Sequence, residues 1–258
     1  MNIAEQIDAA KPSAGSVALF YLGQAGFLLK NAEGTTLLLD PYFSDEANRL
    51  FGFKRMSPPL TGWEKITPDI FCATHAHIDH LDTVSLPTFA ACATTFFIGA
   101  PDCAEAFQST GIDQERTAIL SEGESWTGKG AKIRAIYADH GELAPDANGL
   151  LVEFGGIKIA FTGDTAYRPE KLAASLDSEI DLLVAPINGQ FGNMTAHEAC
   201  ALAGRLKPKA VVACHFWMFL QHVAPDGQGD PVTFLAEAEK IIPDIKAIVM
   251  APGEMITV

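Results

Sequence analysis

Strand-like and helix-like segments alternate along the whole chain, with no low-complexity linker and no short-period repeat. The stretch SVALFYLGQAGFLLKNAEGTTLLLDP reads as a β-meander, punctuated by Gly23 and by the turn from Asn31 to Gly34. DIFCATH is a short apolar strand, and AKIRAIYA alternates as a strand does. LLVEFGGIKIAFTGD predicts a hairpin with Gly155 and Gly156 at its tip. DLLVAPI, KAVVACH and IKAIVMAP are three more buried strands. Helices fall between them. In TAHEACALAGRL, Thr195 with Glu198 three residues later forms a capping box. In DPVTFLAEAEKII, Asp230 is the N-cap and Pro231 the first helical residue. The loops after Pro41 and after Gln221 are long, as loops that line active sites often are. The pattern predicts one domain over residues 1–258 in a layered α/β architecture, without choosing among the α/β folds.

Composition narrows the function more than the fold. A chain of 258 residues with 48% hydrophobic and 19% charged residues is an ordinary globular one. It has no apolar run long enough to span a membrane and no secretory pattern at its start, so a cytoplasmic protein is expected. The net charge of −14 argues against non-specific binding to nucleic acid. Five cysteines, an odd number without a CxxC, read as buried free thiols in a reducing compartment.

The chemistry lies in the histidines. Four apolar strands each end on imidazole or carboxylate. DIFCAT runs into His75, His77, Asp79 and His80; KIRAIYAD into His140; IKIAFTG into Asp164; KAVVAC into His215. The carboxyl ends of strands are where α/β sheets bind ligands. Neutral imidazoles and carboxylates suit zinc, manganese or ferrous iron. The HxH spacing lets two imidazoles chelate one ion while Asp79 and His80 serve a second, and a carboxylate such as Asp164 can bridge the pair. Four residues after His197 stands Ala201, so the HExxH motif of zinc proteases is absent.

HxHxDH at 75–80, His140, GDT at 163–165 and His215 together resemble the metallo-β-lactamase superfamily of hydrolases. The resemblance implies a four-layer αβ/βα sandwich with two divalent metal ions, manganese or zinc with iron as the alternative. It implies that His75, His77 and His140 hold the first ion, that Asp79, His80 and His215 hold the second, and that Asp164 bridges. Asp rather than Cys at 164 points away from antibiotic hydrolysis. YLGQAGFLL, PINGQFGNMTAHEA and ACHFWMF further resemble the branch containing L-ascorbate-6-phosphate lactonase, which implies a lactonase or esterase acting through metal-activated water. The chain departs from that branch at Gln190, Phe216 and His222, where Arg, Tyr and Asn are common.

On this reading Asp79, Asp164 and His222 are catalytic, the last, or else metal-bound water, as an acid for the leaving alkoxide. Asp40 and Asp82 orient ligand histidines, or else form the turn before Pro41 and cap the following segment. Lys54 and Arg55, with Arg168 as a weaker alternative, are candidates for an anionic substrate group, beside Gln190, Phe216 and His222. The expected partner is a small, sugar-derived lactone, with a second copy of the chain left open. Two rival readings stand: a phosphodiesterase or phospholipase on the same centre, for which RLFGF offers an apolar loop, and a metal-binding scaffold without activity.

Overall fold

The computed structural model describes residues 1–224 and 227–258; Pro225 and Asp226, in the loop after Gln221, lie outside the described residues. The first sheet is built from β1 (Ala18–Gly23), β2 (Gly26–Lys30), β3 (Thr36–Leu39), β4 (Ile70–Ala73), β5 (Phe96–Gly99) and β6 (Thr117–Ile119). The second contains β7 (Ser125–Gly128), β8 (Ala131–Ile136), β9 (Gly149–Phe154), β10 (Ile157–Phe161), β11 (Leu182–Pro186), β12 (Ala210–Cys214) and β13 (Lys246–Ile248). The last strand, β14 (Met255–Thr257), returns to the first sheet and pairs with β1.

The two sheets share a plan. Strands β14, β1, β2 and β3 are antiparallel, and β3 to β6 run parallel. Strands β7 to β10 are antiparallel, and β10 to β13 run parallel. Parallel neighbours need crossover connections, and these carry helices onto the outer faces. The helices are α1 (Ile3–Ala9), α2 (Glu46–Phe51), α3 (Leu86–Ala90), α4 (Ala104–Ser109), α5 (Pro169–Ser175), α6 (Ala196–Leu206) and α7 (Pro231–Ile241).

Alternate residues of each strand face opposite layers. Leu19 and Tyr21 of β1 join Val152, Ile159 and Val184 in the core between the sheets. Ala18, Phe20 and Leu22 face the other way, against Ile3 and Ile7 of α1 and Phe89 of α3. Ala160, Leu183 and Val211 pack on α6 and α7 through Ala199, Leu202 and Phe234. Burial on both faces explains why the strands are continuous apolar runs rather than alternating ones. The four layers are therefore helix, sheet, sheet, helix, the expected αβ/βα sandwich.

The meander, the Gly155–Gly156 hairpin and both predicted helix caps are present. The pattern reading did not anticipate β5, β6, β7 and β14, which are short, nor α1 to α5. Of the cysteines, Cys92 is only half-buried, a correction to the expectation of buried thiols. Among the described residues, no helix is long and apolar enough to cross a membrane.

Candidate metal centre

Strands β4, β10 and β12 and the segment after β8 deliver their polar ends to one place. The loop after β4 folds back on itself, with His80 and Leu81 both donating main-chain N–H bonds to the His77 carbonyl at 2.9 and 2.7 Å. That turn puts His75, His77, Asp79 and His80 around one point. His75 Nε2 and His77 Nδ1 approach to 2.9 Å. Asp164 stands among the histidines: its Oδ1 is 3.2 Å from His80 Nε2, and its Oδ2 is 3.2 Å from His215 Nε2 and 3.7 Å from His140 Nε2. His215 Nε2 is also 3.4 Å from Asp79 Oδ2. Three triads bring their donor atoms within 4.8 Å of one another: His75, His77 and His140; His75, His80 and Asp164; Asp79, His80 and His215.

The backbone is strained here. Gln24, Asp40 and His215 take positive φ of 55°, 45° and 59°. Left-handed backbone costs a residue with a side chain roughly 1–2 kcal/mol, and such residues persist where surrounding structure over-determines them. Here the surroundings do: the His215 N–H donates to the Gln24 carbonyl at 2.7 Å, and the Tyr21 hydroxyl donates to the same oxygen at 3.0 Å. Gly163, at φ +60°, admits Asp164 because a Cβ there would stand 2.8 Å from the Asn148 carbonyl.

Polar neighbours aim the cluster. Asp40 accepts from His80 Nδ1 at 2.8 Å and from Thr74 N and Oγ1 at 2.7 Å each. The Leu143 carbonyl accepts from His77 Nε2 at 3.1 Å, leaving Nδ1 with its lone pair facing His75. Asn193 Nδ2 donates to Asp164 Oδ2 at 2.8 Å, and Gln24 Nε2 to Asp79 Oδ2 at 2.7 Å. Such outer partners fix tautomer and orientation in metal sites.

Charge in the cluster is balanced internally. Burial works against the Asp164 carboxylate, but His215 and His80 outweigh it and hold its pKa well below the usual carboxylate range. Asp79 is lowered in the same way, with His215 and His80 again overcoming burial. Burial also works against a charged His80, yet Asp164 and Asp40 raise its pKa. His215 rises to about 9 as Asp164 and Asp79 overcome burial. His75, by contrast, is pushed down, first by burial and then by the neighbouring His80. The two carboxylates thus draw positive charge into the site, as protons on His80 and His215 or as a divalent ion.

A direct test of fit comes from buried polar atoms that lack a partner. Among the described residues these are His80 Nε2, His140 Nδ1, Asp164 Oδ1, both amide atoms of Asn188, Asn193 Oδ1 and His222 Nε2. All belong to this centre or its rim, where a buried unpaired group is costly unless something else meets it. Nitrogen and carboxylate donors converging with unspent lone pairs fit a first-row divalent ion.

Beside the centre lies a narrow recess lined in part by Gln24, Asn188, His215, Phe216, Trp217 and His222. Phe216 also packs on Tyr21, with ring centroids 5.8 Å apart. His222 sits among Phe53, Phe219 and Phe191 at centroid distances of 4.4, 5.3 and 4.9 Å. Burial and nearby His215 lower its pKa. Gln190 donates to the His222 carbonyl at 2.8 Å and so fastens the wall.

Other expected site residues are employed elsewhere. The Asp82 carboxylate accepts from the main-chain N–H groups of Phe43, Ser44 and Val84 and from the Ser44 hydroxyl, at 2.8–3.1 Å. It ties the loop after β3 to the turn before α3 and orients no ligand histidine. Arg55 spends its guanidinium on the carbonyls of Tyr42, Ser44 and Ser57, at 3.1 Å each, and lies over the Tyr42 ring. Lys54 is exposed, and both residues line a separate cleft rather than the recess. The basic pair therefore does not face the centre, because the loop strip 54–56 is bonded edge to edge with residues 218–220. Arg168 pairs with Asp139 at 2.9 Å. Gln24, Thr74, Asn188 and Asn193 were missed in the sequence, and the one signal was a polar residue between apolar neighbours in YLGQAGF and PINGQFGNM.

Residues 18–215 match the family model described as Beta-lactamase superfamily domain. The chain is similar to the UPF0173 metal-dependent hydrolase of Polynucleobacter asymbioticus, at 28% identity over 266 residues, covering 94% of this chain and 86% of that protein. Its fold is similar to that of Igni18, a metallo hydrolase from the archaeon Ignicoccus hospitalis (TM-score 0.70, 21% identity, 94% of this chain and 98% of the other). It is also similar to that of an isothiocyanate hydrolase from Delia radicum gut bacteria (TM-score 0.74, 18% identity, 93% and 98%).

Proposed function

Since the chain belongs to the Beta-lactamase superfamily domain family and is a metal-dependent hydrolase of the metallo-β-lactamase superfamily, we propose that it cleaves an ester bond, in the first instance that of a lactone. The observation that carries this reading is the convergence of His75, His77, Asp79, His80, His140, Asp164 and His215 with donor atoms left unspent. His75, His77 and His140 would hold one ion, Asp79, His80 and His215 another, with Asp164 between them. Manganese, zinc and ferrous iron all suit that donor set. Divalent ions supply two things at such a site: they acidify water to near neutral pH and they polarise a carbonyl oxygen.

The chain's own residues do the rest. Asp40 keeps the His80 proton on Nδ1, so that Nε2 faces Asp164. Asn193 holds one oxygen of Asp164 and leaves the other free. Gln24 restrains Asp79 and, through its carbonyl, the backbone of His215. Phe216 and His222 form a recess wall against which the reacting ester can lie. The choice of a lactone rests on the likeness of YLGQAGFLL and PINGQFGNMTAHEA to the lactonase branch.

One observation favours a second reading. Trp217, which lines the recess, is exposed by 50%, and Phe51 and Leu220, of the bonded loops around 51–56 and 218–222, by 61% and 55%, as a phospholipid substrate would require. The test is proton release from γ-phenyl-γ-butyrolactone and L-ascorbate 6-phosphate by manganese- or zinc-loaded protein, beside bis(p-nitrophenyl) phosphate. Lactone turnover that disappears in Asp164→Ala supports the proposal. Turnover of the phosphodiester alone replaces it with the second reading.

A further inference from the structure

Asn188 follows β11 and is held by main-chain pairing with Thr195. Its side chain is only 5% exposed, yet both its Nδ2 and its Oδ1 lack any hydrogen-bond partner. It lines the recess beside the metal centre together with His215 and His222. Gly229, which also lines the recess, packs against it so closely that a Cβ there would come within 3.1 Å of the Asn188 Cα. A buried amide with neither half satisfied is unfavourable, so an amide kept in that state beside a reaction centre marks a place for a ligand group.

The recess defines that group. Its cavity volume is about 20 Å³, room for little more than one water-sized group, so the body of a substrate stays outside. A phosphate or carboxylate is larger than that space. Trp217 lines it, and Phe53 and Phe191 pack on the His222 ring of its wall; Phe191 and Trp217 are about half exposed. These offer an apolar surface.

We infer that Asn188 selects the substrate, pairing with one uncharged, water-sized group that donates and accepts together, as a hydroxyl does, on an ester whose remaining body is apolar. The inference rests on the ester-hydrolase reading and deepens it.

The experiment compares α-benzyl-α-hydroxy-γ-butyrolactone with α-benzyl-γ-butyrolactone, which lacks the hydroxyl, using metal-loaded protein of checked metal content. The wild-type chain should prefer the hydroxyl by roughly tenfold to a hundredfold in kcat/KM, the range expected for meeting an otherwise unpaired buried pair. Asn188→Ala, and Asn188→Asp should the first variant fail to fold, should bring that ratio close to one. A ratio near one in the wild type, or a ratio that survives both variants, overturns the inference. If neither lactone is turned over, the ester-hydrolase reading has failed on its own. The two corresponding lactams, titrated calorimetrically, then decide the remaining point. Tighter binding of the hydroxy lactam, lost in Asn188→Asp, upholds the role of Asn188, and equal or absent binding of the pair refutes it.

Discussion

Asp40 Oδ2 accepts a hydrogen bond from His80 Nδ1 at 2.8 Å, and both side chains are buried. The same carboxylate holds Thr74 by its main-chain N–H and its hydroxyl, so one residue fixes both the histidine and the start of the loop that carries it. Asp40→Ala should therefore weaken metal binding by about 10–100-fold, the usual effect of losing such a partner. Asp40→Asn keeps a residue tolerant of positive φ and should lose less. Competition with a chromophoric chelator measures both, and equal affinities in Asp40→Ala and wild type would remove Asp40 from the centre.

Asp164 touches histidines from three separate chain segments. Asp164→Asn removes the charge with little change of shape. Metal content by elemental analysis is expected to fall from about two ions per chain toward one, with hydrolysis lost. Full metal content in the variant would show that Asp164 does not bridge.

Gly163 sets the direction in which Asp164 leaves β10. A methyl group at φ +60° against the Asn148 carbonyl forces the turn to shift. Gly163→Ala should cost roughly 1–3 kcal/mol in chemical denaturation and lower metal affinity at the same time. A stability loss with unchanged metal affinity would place the strain away from the ligands.

Arg55 and Lys54 are adjacent and differently employed. Arg55→Ala leaves three main-chain carbonyls without their donor and should destabilise by about 1–3 kcal/mol. Lys54→Ala should leave the denaturation midpoint unchanged. Neither should alter KM for an uncharged lactone. A raised KM for an anionic one in Lys54→Ala would restore the pair as a substrate contact.

Cys92 carries the pH-dependent prediction. Hydrogen bonds from Thr94 and Thr95 stabilise its thiolate and lower its pKa to about 7. Burial raises Cys72, Cys103, Cys200 and Cys214, the third to about 12. The thiolate is the reactive form, so alkylation by iodoacetamide should rise with pH through a midpoint of about 7 and mark Cys92 first. Mass spectrometry of the labelled peptides checks it, and a midpoint near 9 would show that the two threonines do not bond the sulfur.

Much of the scaffold was legible in the sequence because its signals are local. Apolar runs bounded by glycine and proline mark β1 to β4 and β8 to β12, and the caps of α6 and α7 lie within three residues of what they cap. The short edge strands were not legible, since a run as brief as Thr117–Ile119 becomes a strand only by pairing with β5. The centre was half legible in the same sense. A histidine or aspartate at the end of a strand is visible in the chain, and strand ends gather at one rim of a sheet. The employment of each polar side chain was not visible. Asp40 and Asp82 follow similar local patterns, yet one reaches His80 and the other reaches the loop at Phe43 and Ser44. Gln24 meets His215 across 191 residues, and Asn188 enters the recess unpaired. Sequence spacing determined which residues stand at strand ends, because side-chain direction repeats over a few residues. Only the packing of loops from distant strands decided which of those residues have partners and which are left for a ligand, because a hydrogen bond is satisfied by whatever lies about 3 Å away in space.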